Sequence, residues 1–189
     1  MSPDPTPYRS EYSTGQKIRR QLWRWTEVAV FRWSPRVAFG WRRWVLRRFG
    51  ASVGDGVKVE PSVTFFDPAL ATLEDHVVIG DGVDFYNVGP IRIGRATMVS
   101  RYARLCSGSH DFRSPSFDLL KPPIDIGSDV WICAGAFVGP GVTVGDRAVV
   151  GAHAVVMRDV PATSIVAGNP GRVVGDRDTS NISSERVSS

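Results

Sequence analysis

The sequence predicts an all-β fold, a parallel β-solenoid of about five coils preceded by a helical segment, and three observations predict it. Aliphatic residues recur every six positions as Ile126, Ile132, Val138, Val144, Val150 and Val156. Four residues after each stands a small or aliphatic partner: Val130, Ala136, Val142, Ala148, Ala154 and Val160. Glycine often follows the first aliphatic, as at Gly127, Gly139, Gly145 and Gly151. A period of six is too long for the alternation of one strand and out of step with a helix. It fits a short strand and a turn, repeated. Side chains alternate along a strand, so each aliphatic and the residue two before it point inward. The residue after the aliphatic enters the turn, where glycine relieves the cost of positive φ. Three such hexapeptides close one triangular coil.

In chain order, residues 1–15 are polar and proline-rich and are expected to be disordered. Residues 16–50 form a basic, Trp-rich helical segment of two short helices broken near "SPR", with Ser34 before Pro35 as the start of the second. Ile18, Leu22, Trp25, Ala29 and Trp33 fall on one helical stripe; Val37, Trp41, Trp44 and Val45 form another. Residues 51–175 are the solenoid, whose earlier coils carry the same grammar at Val53/Val59/Phe65, Leu73/Ile79/Phe85 and Ile93/Val99/Leu105. The phase slips by two residues after Phe65 and after Phe85, where Gly89 and Pro90 mark an extruded corner. A loop at 111–125 interrupts the repeat, and its Pro115, Pro122 and Pro123 argue against regular strand. The tail, 176–189, is expected to be disordered.

The 42% hydrophobic and 22% charged content is that of an ordinary globular chain. The net charge of +4 conceals an asymmetry, because residues 17–48 hold ten Lys or Arg against the single acid Glu27. The remaining residues are therefore net acidic. A charge confined to one segment, without a recognised binding domain, argues against nucleic acid as partner. No apolar run is long enough to span a membrane and no secretion signal is evident, so a cytoplasmic protein is expected. Cys106 and Cys133 occupy the slot after an aliphatic and read as small turn residues. The three histidines, His76, His110 and His153, offer no close pair, so no metal is expected.

Three pieces go beyond the repeat: "SHDF" at 109–112, "VWI" at 130–132 and "AGNP" at 167–170. With the block "IDIGSDVWICAGAFVGPGVTVGDRAVVGAHAVVMRDVPATSIVAGNPGRVV", the chain resembles the hexapeptide-repeat acyltransferases, in particular the nodulation, galactoside and maltose sugar O-acetyltransferases. The Trp-rich basic N-terminus with "GWRRWVLRRFGA" narrows the resemblance to the colanic-acid-biosynthesis type. The resemblance implies a left-handed parallel β-helix, a homotrimer with active sites between subunits, acetyl-CoA as co-substrate, and a saccharide, sugar-nucleotide or glycolipid acceptor.

The family motif carries the catalytic base over to His110. An imidazole suits the removal of a proton from an alcohol attacking a thioester, because its ordinary pKa lies near neutrality. Asp111 is read as a group on the acceptor side that could fix the imidazole tautomer, or as a turn residue. Asn87, one coil earlier, is read as an acceptor contact or a turn residue, and Trp131 as an aromatic wall beside the substrate. For the cofactor, the resemblance points to the Ala134 amide as oxyanion donor and to Ala152, Arg158 and Arg172 along the pantetheine and phosphates. Arg158 stands where relatives commonly have lysine, and Met157 where they often have threonine.

Two alternatives stay open at this point: N-acetylation of an amino sugar, and a non-catalytic β-helix scaffold. Residues 16–48 could cap the first coil, contact a neighbouring subunit, or lie peripherally on the inner face of the cytoplasmic membrane.

Overall fold

The computed structural model describes residues 12–177. Of the two segments expected to be disordered, residues 1–11 and 178–189 lie outside it. Helix α1 (Thr14–Thr26) opens on a capping box, in which Ser13 accepts the Gln16 amide and Gln16 bonds back to Ser13. A five-residue π-helical extension (Glu27–Phe31) follows, then α2 (Phe39–Arg48). The second helix begins later than the sequence suggested. Ser34 donates to the Phe31 carbonyl and accepts from Arg42, so Ser34 and Pro35 belong to the connecting turn.

The solenoid then winds through three faces. The first coil is β1 (Ser52–Val53), β2 (Lys58–Val59) and β3 (Thr64–Phe65). The second is β4 (Ala71–Leu73), β5 (Val78–Ile79) and β6 (Asp84–Tyr86). The third, β7 (Ile91–Ile93), β8 (Met98–Val99) and β9 (Arg104–Cys106), ends in a hairpin arm of β10 (Ser109–His110) and β11 (Leu119–Leu120). The fourth is β12 (Ile124–Ile126), β13 (Trp131–Ile132) and β14 (Phe137–Val138). The fifth is β15 (Thr143–Val144), β16 (Val149–Val150) and β17 (Val155–Val156). A partial sixth adds a bridge from Val160 to Val144 and β18 (Ser164–Ala167), closed by the antiparallel β19 (Arg172–Asp176). The count therefore exceeds the expected five, because the repeat carries on past Val156 with Val160 and Val166 still buried.

First, second and third strands of each coil stack into parallel sheets that we call A, B and C. Their inward residues, from Val53 to Val166, form one continuous core. Adjacent coils pair 20 residues apart in the first turns, 18 apart from the fourth coil to the fifth and 16 apart from the fifth to the sixth, so the two-residue slips are absorbed at the C-to-A corner.

The glycine grammar holds for a different reason from the one inferred. Positive φ falls three residues after the aliphatic, as at Gly56, His76, Tyr102, Gly135 and His153. Glycine directly after the aliphatic serves close stacking of coils. A Cβ on Gly145 would lie 2.4 Å from the Ala162 nitrogen, and one on Gly94 2.5 Å from the Gly127 carbonyl carbon.

The helices close the open end of the stack by bonding to its backbone. Trp23 Nε1 donates to the Phe65 carbonyl, and Glu27 accepts the Phe65 amide. Arg42, Arg43 and Arg47 donate to the carbonyls of Val59, Val57 and Val53. Each strand of the first coil thus has its free edge satisfied by side chains. Arg42 is wholly buried, and it also donates to the Pro35 and Arg36 carbonyls.

Candidate active site

His110 sits at the root of the arm, exposed, where the chain leaves the C-to-A corner. Its Nδ1 lies 2.6 Å from the carbonyl oxygen of Phe117. A carbonyl can only accept, so Nδ1 carries the proton, and in the neutral ring Nε2 holds the lone pair. The arm is built to hold that carbonyl. Asp111 N donates to the Asp118 carbonyl, and Ser114 and Ser116 both donate to the Asp118 carboxylate. These two hydroxyl bonds hold the Asp118 carboxyl below its usual range. Phe117 itself adopts φ 48°, a strained position for a bulky side chain. Sequence reasoning missed Phe117 and this lock; the alternation Ser114, Ser116, Asp118 was its visible signal.

The other two histidines are turn residues with a packing task. A Cβ on Gly56 would strike the His76 ring at 2.3 Å and one on Gly135 the His153 ring at 2.4 Å, so each imidazole covers a glycine of the coil below. Only His110 lacks such a structural duty.

Two acceptor-side residues take the turn alternative of their readings. Asp111 does not bond the imidazole: its Oδ1 accepts the Arg113 amide, a local turn bond, and the tautomer is set by Phe117 instead. Asn87 is fully buried, with its oxygen on the Asp67 amide and its nitrogen on the Asp67 carbonyl. The extra residues of the C-to-A corner expose backbone groups that need partners, and Asn87 supplies them. Its side chain is thereby committed. Ser107 does the same one coil on, bonding both the amide and the carbonyl of Gly89.

Trp131 is half exposed on the outer face of sheet B, and its Nε1 donates to Ser100 Oγ. Its register neighbours are Met98 below and Val149 above, so it centres an apolar strip running up that face.

Ala134 and Ala152 stack on the B-to-C corner, where the Ala134 carbonyl accepts the His153 amide. At the A-to-B corner the equivalent amides are capped by the coil above: Asp75 accepts from Asp55 N and Asp146 from Ser128 N. Ala152 occupies the slot of those aspartates and has no carboxylate. Among the described residues the Ala134 N–H therefore has no acceptor. Arg158 and Arg172 share a cleft of about 360 Å³ at the far end of the solenoid, beside Met157 and Asp159. The described residues hold no group of three or more His, Cys, Asp or Glu that could bind a metal ion.

His110 and Ala134 are not brought together within one chain. The arm leaves at one edge of sheet C, and Ala134 lies in the turn at the other. What one chain offers is an exposed imidazole with no partner on Nε2 among the described residues and, separately, an unclaimed amide at the B-to-C corner.

Residues 123–158 match the family described as bacterial transferase hexapeptide (six repeats). The chain is 42% identical over 163 residues to WcaF of Escherichia coli (strain K12), a protein named for an acetyltransferase of colanic acid biosynthesis; the match covers 86% of this chain and 90% of that one. A hexapeptide-repeat acetyltransferase of Vibrio cholerae O1 biovar eltor, solved in complex with acetyl coenzyme A, superposes with a TM-score of 0.81 at 25% identity, covering 90% of this chain and 93% of that one. A maltose O-acetyltransferase of Clostridium difficile 630 gives 0.80 at 25% identity, covering 88% and 90%.

Proposed function

The chain belongs to the hexapeptide-repeat acetyltransferases, and on that premise we propose that it moves an acetyl group from acetyl-CoA to a hydroxyl of a sugar or saccharide. The observation that carries this reading is the Nδ1 bond of His110 to the Phe117 carbonyl, which leaves Nε2 as an exposed base. Nε2 takes the proton of the acceptor hydroxyl as its oxygen attacks the thioester carbonyl. The oxyanion of the tetrahedral intermediate settles on the Ala134 N–H, which has no acceptor among the described residues. The intermediate collapses, the carbon–sulfur bond breaks, and the imidazolium returns its proton to the departing CoA thiolate. The step is a direct transfer without an acyl-enzyme, and burial raises the pKa of the Cys133 thiol, which disfavours that thiol as a nucleophile.

Because base and oxyanion donor sit at opposite edges of sheet C, the reaction needs the arm of one copy beside the B-to-C corner of another. This supports a homotrimer with three shared sites. Arg158 and Arg172 are assigned to the CoA phosphates, and Trp131 to the wall of the cleft. The donor is a cytoplasmic thioester, which sets the compartment of this reading.

The test is release of CoA thiol from acetyl-CoA against neutral sugars, sugar nucleotides and amino sugars. Release that depends on an acceptor bearing only hydroxyls is expected. Release with amino sugars alone would replace the O-transfer by N-transfer.

The corner geometry gives a second expected outcome. Ala152→Asp installs the carboxylate that caps the equivalent amide elsewhere, so it claims the Ala134 N–H and sets a negative charge where the oxyanion forms. Thiol release should fall at least about 100-fold, the scale of losing one oxyanion donor. Melting temperature, measured alongside, should hold or rise, since the same cap is native at Asp75 and Asp146.

A further inference from the structure

The apolar stripe of α1 faces away from the solenoid. A surface helix ordinarily turns its apolar side to the core and its charges to water. Here Trp23 and Phe31 are buried, while Ile18, Leu22 and Trp25 lie on the outside; Trp25 is 63% exposed. The outward set continues through Trp33, at 83%, to Trp41 and Trp44, whose rings stack 5.1 Å apart. The inward side of the segment carries the polar bonds that close the first coil, and Arg19 adds an ion pair with Asp67 at 2.8 Å. The stripe is therefore not spare core.

Charge on this segment is sorted in the same way. Arg36, Arg42, Arg43 and Arg47 are spent on the solenoid. Lys17, Arg24, Arg32 and Arg48 make no ion pair among the described residues; Lys17 and Arg24 line a recess over sheet C with Glu27 and Asp84, and Arg32 and Arg48 are exposed. Glu27, the lone acid of residues 17–48, is turned inward onto the Phe65 amide. Burial raises its carboxyl above the usual range, against the opposing pull of that amide, Arg32 and Arg24. The outward face therefore presents aromatics and cations with no carboxylate of its own segment. Arg32 lines a recess with Val28 and Trp33, a cation among apolar side chains.

We infer that this face docks peripherally on an anionic lipid surface, its indoles in the headgroup layer and its guanidinium groups on lipid phosphates. No helix among the described residues is long and apolar enough to cross a membrane, so the contact lies in the plane of the surface. A second copy of this chain is the weaker occupant, because two such faces brought together would oppose cation to cation. The face borders the first coil, whereas His110, Ala134 and the Arg158–Arg172 cleft belong to later coils, so docking leaves the proposed site open.

The test uses the full chain, since removing the helices would bare the edges of β1, β2 and β3. Co-sedimentation is measured with vesicles of phosphatidylcholine alone and with phosphatidylglycerol added. Binding is expected only with the anionic lipid, falling at least about tenfold from 0.1 to 0.5 M salt. Brominated lipid should quench the tryptophan fluorescence. The combined W25S, W33S, W41S and W44S variant should lose at least about tenfold in vesicle affinity, with thiol release in free solution and sedimentation velocity unchanged. Absence of wild-type binding, or a shift in assembly mass in that variant, would overturn the inference, the second outcome pointing to a second copy as the occupant. Failure of thiol release in the wild type would instead strike the proposed reaction and leave the vesicle result standing.

Discussion

His110→Ala should lower the turnover of acetyl transfer by about 1,000-fold, within the range a positioned general base supplies. KM for acceptor and donor should stay within about twofold, because the imidazole carries proton transfer rather than ground-state binding. Calorimetry should find CoA bound with wild-type affinity, since Arg158, Arg172 and the Ala134 corner lie elsewhere in the fold. The neighbouring residue provides the contrast. Asp111→Ala should cost no more than about threefold, because its carboxylate serves the Arg113 amide and the Phe117 carbonyl orients the ring. Thiol release at the wild-type rate in His110→Ala would remove the base from the mechanism. An equal loss in Asp111→Ala would restore a carboxylate to its orientation.

Arg42→Ala should destabilise the fold by about 3 kcal/mol and lower the melting temperature by roughly 10 °C. The guanidinium is wholly buried and serves the carbonyls of Val59, Pro35 and Arg36 together with the Ser34 hydroxyl. It also lies over the Phe39 ring at 5.0 Å. Burial pulls its pKa down, and the distant charge of Glu60 opposes that. Deleting the side chain leaves acceptors of the half-buried turn, and the buried Val59 carbonyl of β2, without donors, a loss larger than the bonds themselves are worth. Arg42→Lys should recover less than half of the difference, because one ammonium cannot span acceptors held by both edges of a planar fork. Thermal unfolding of the two variants beside the wild type is the measurement. A melting temperature within 2 °C of the wild type for Arg42→Ala would show that the first coil closes without it.

The solenoid was legible because its cause is local and repeated: each hexapeptide must send two side chains inward, and that necessity prints a period. The inward residues from Ile126 to Val156 are buried as the period required. The role of glycine was not legible, since a sequence shows the position but not the coil above it, where the Ala162 and Gly127 backbones leave no room. The side to which the N-terminal stripe turns was not legible for a related reason. Amphipathicity gives the apolar side of a helix, but the first coil offers unpaired backbone, which selects donors and acceptors such as Arg42, Trp23 and Glu27. At the site, His110 could be named from its motif, whereas its partner is a main-chain carbonyl, and Phe117 contributes nothing that its side chain reveals. Asn87 was legible as a corner residue, but its bonds to Asp67 require two coils to be laid against each other.

Ile93 pairs with Ile126 as directly as Ile126 pairs with Val144, although the first step takes 33 residues and the second 18. The stack is indifferent to whatever is spliced into its corner. An architecture of this kind separates inheritance from invention: the ladder can be copied unaltered while the insert is lengthened, shortened or exchanged. Transplanting residues 107–123 between related chains should move acceptor preference as a cassette, with the core none the wiser.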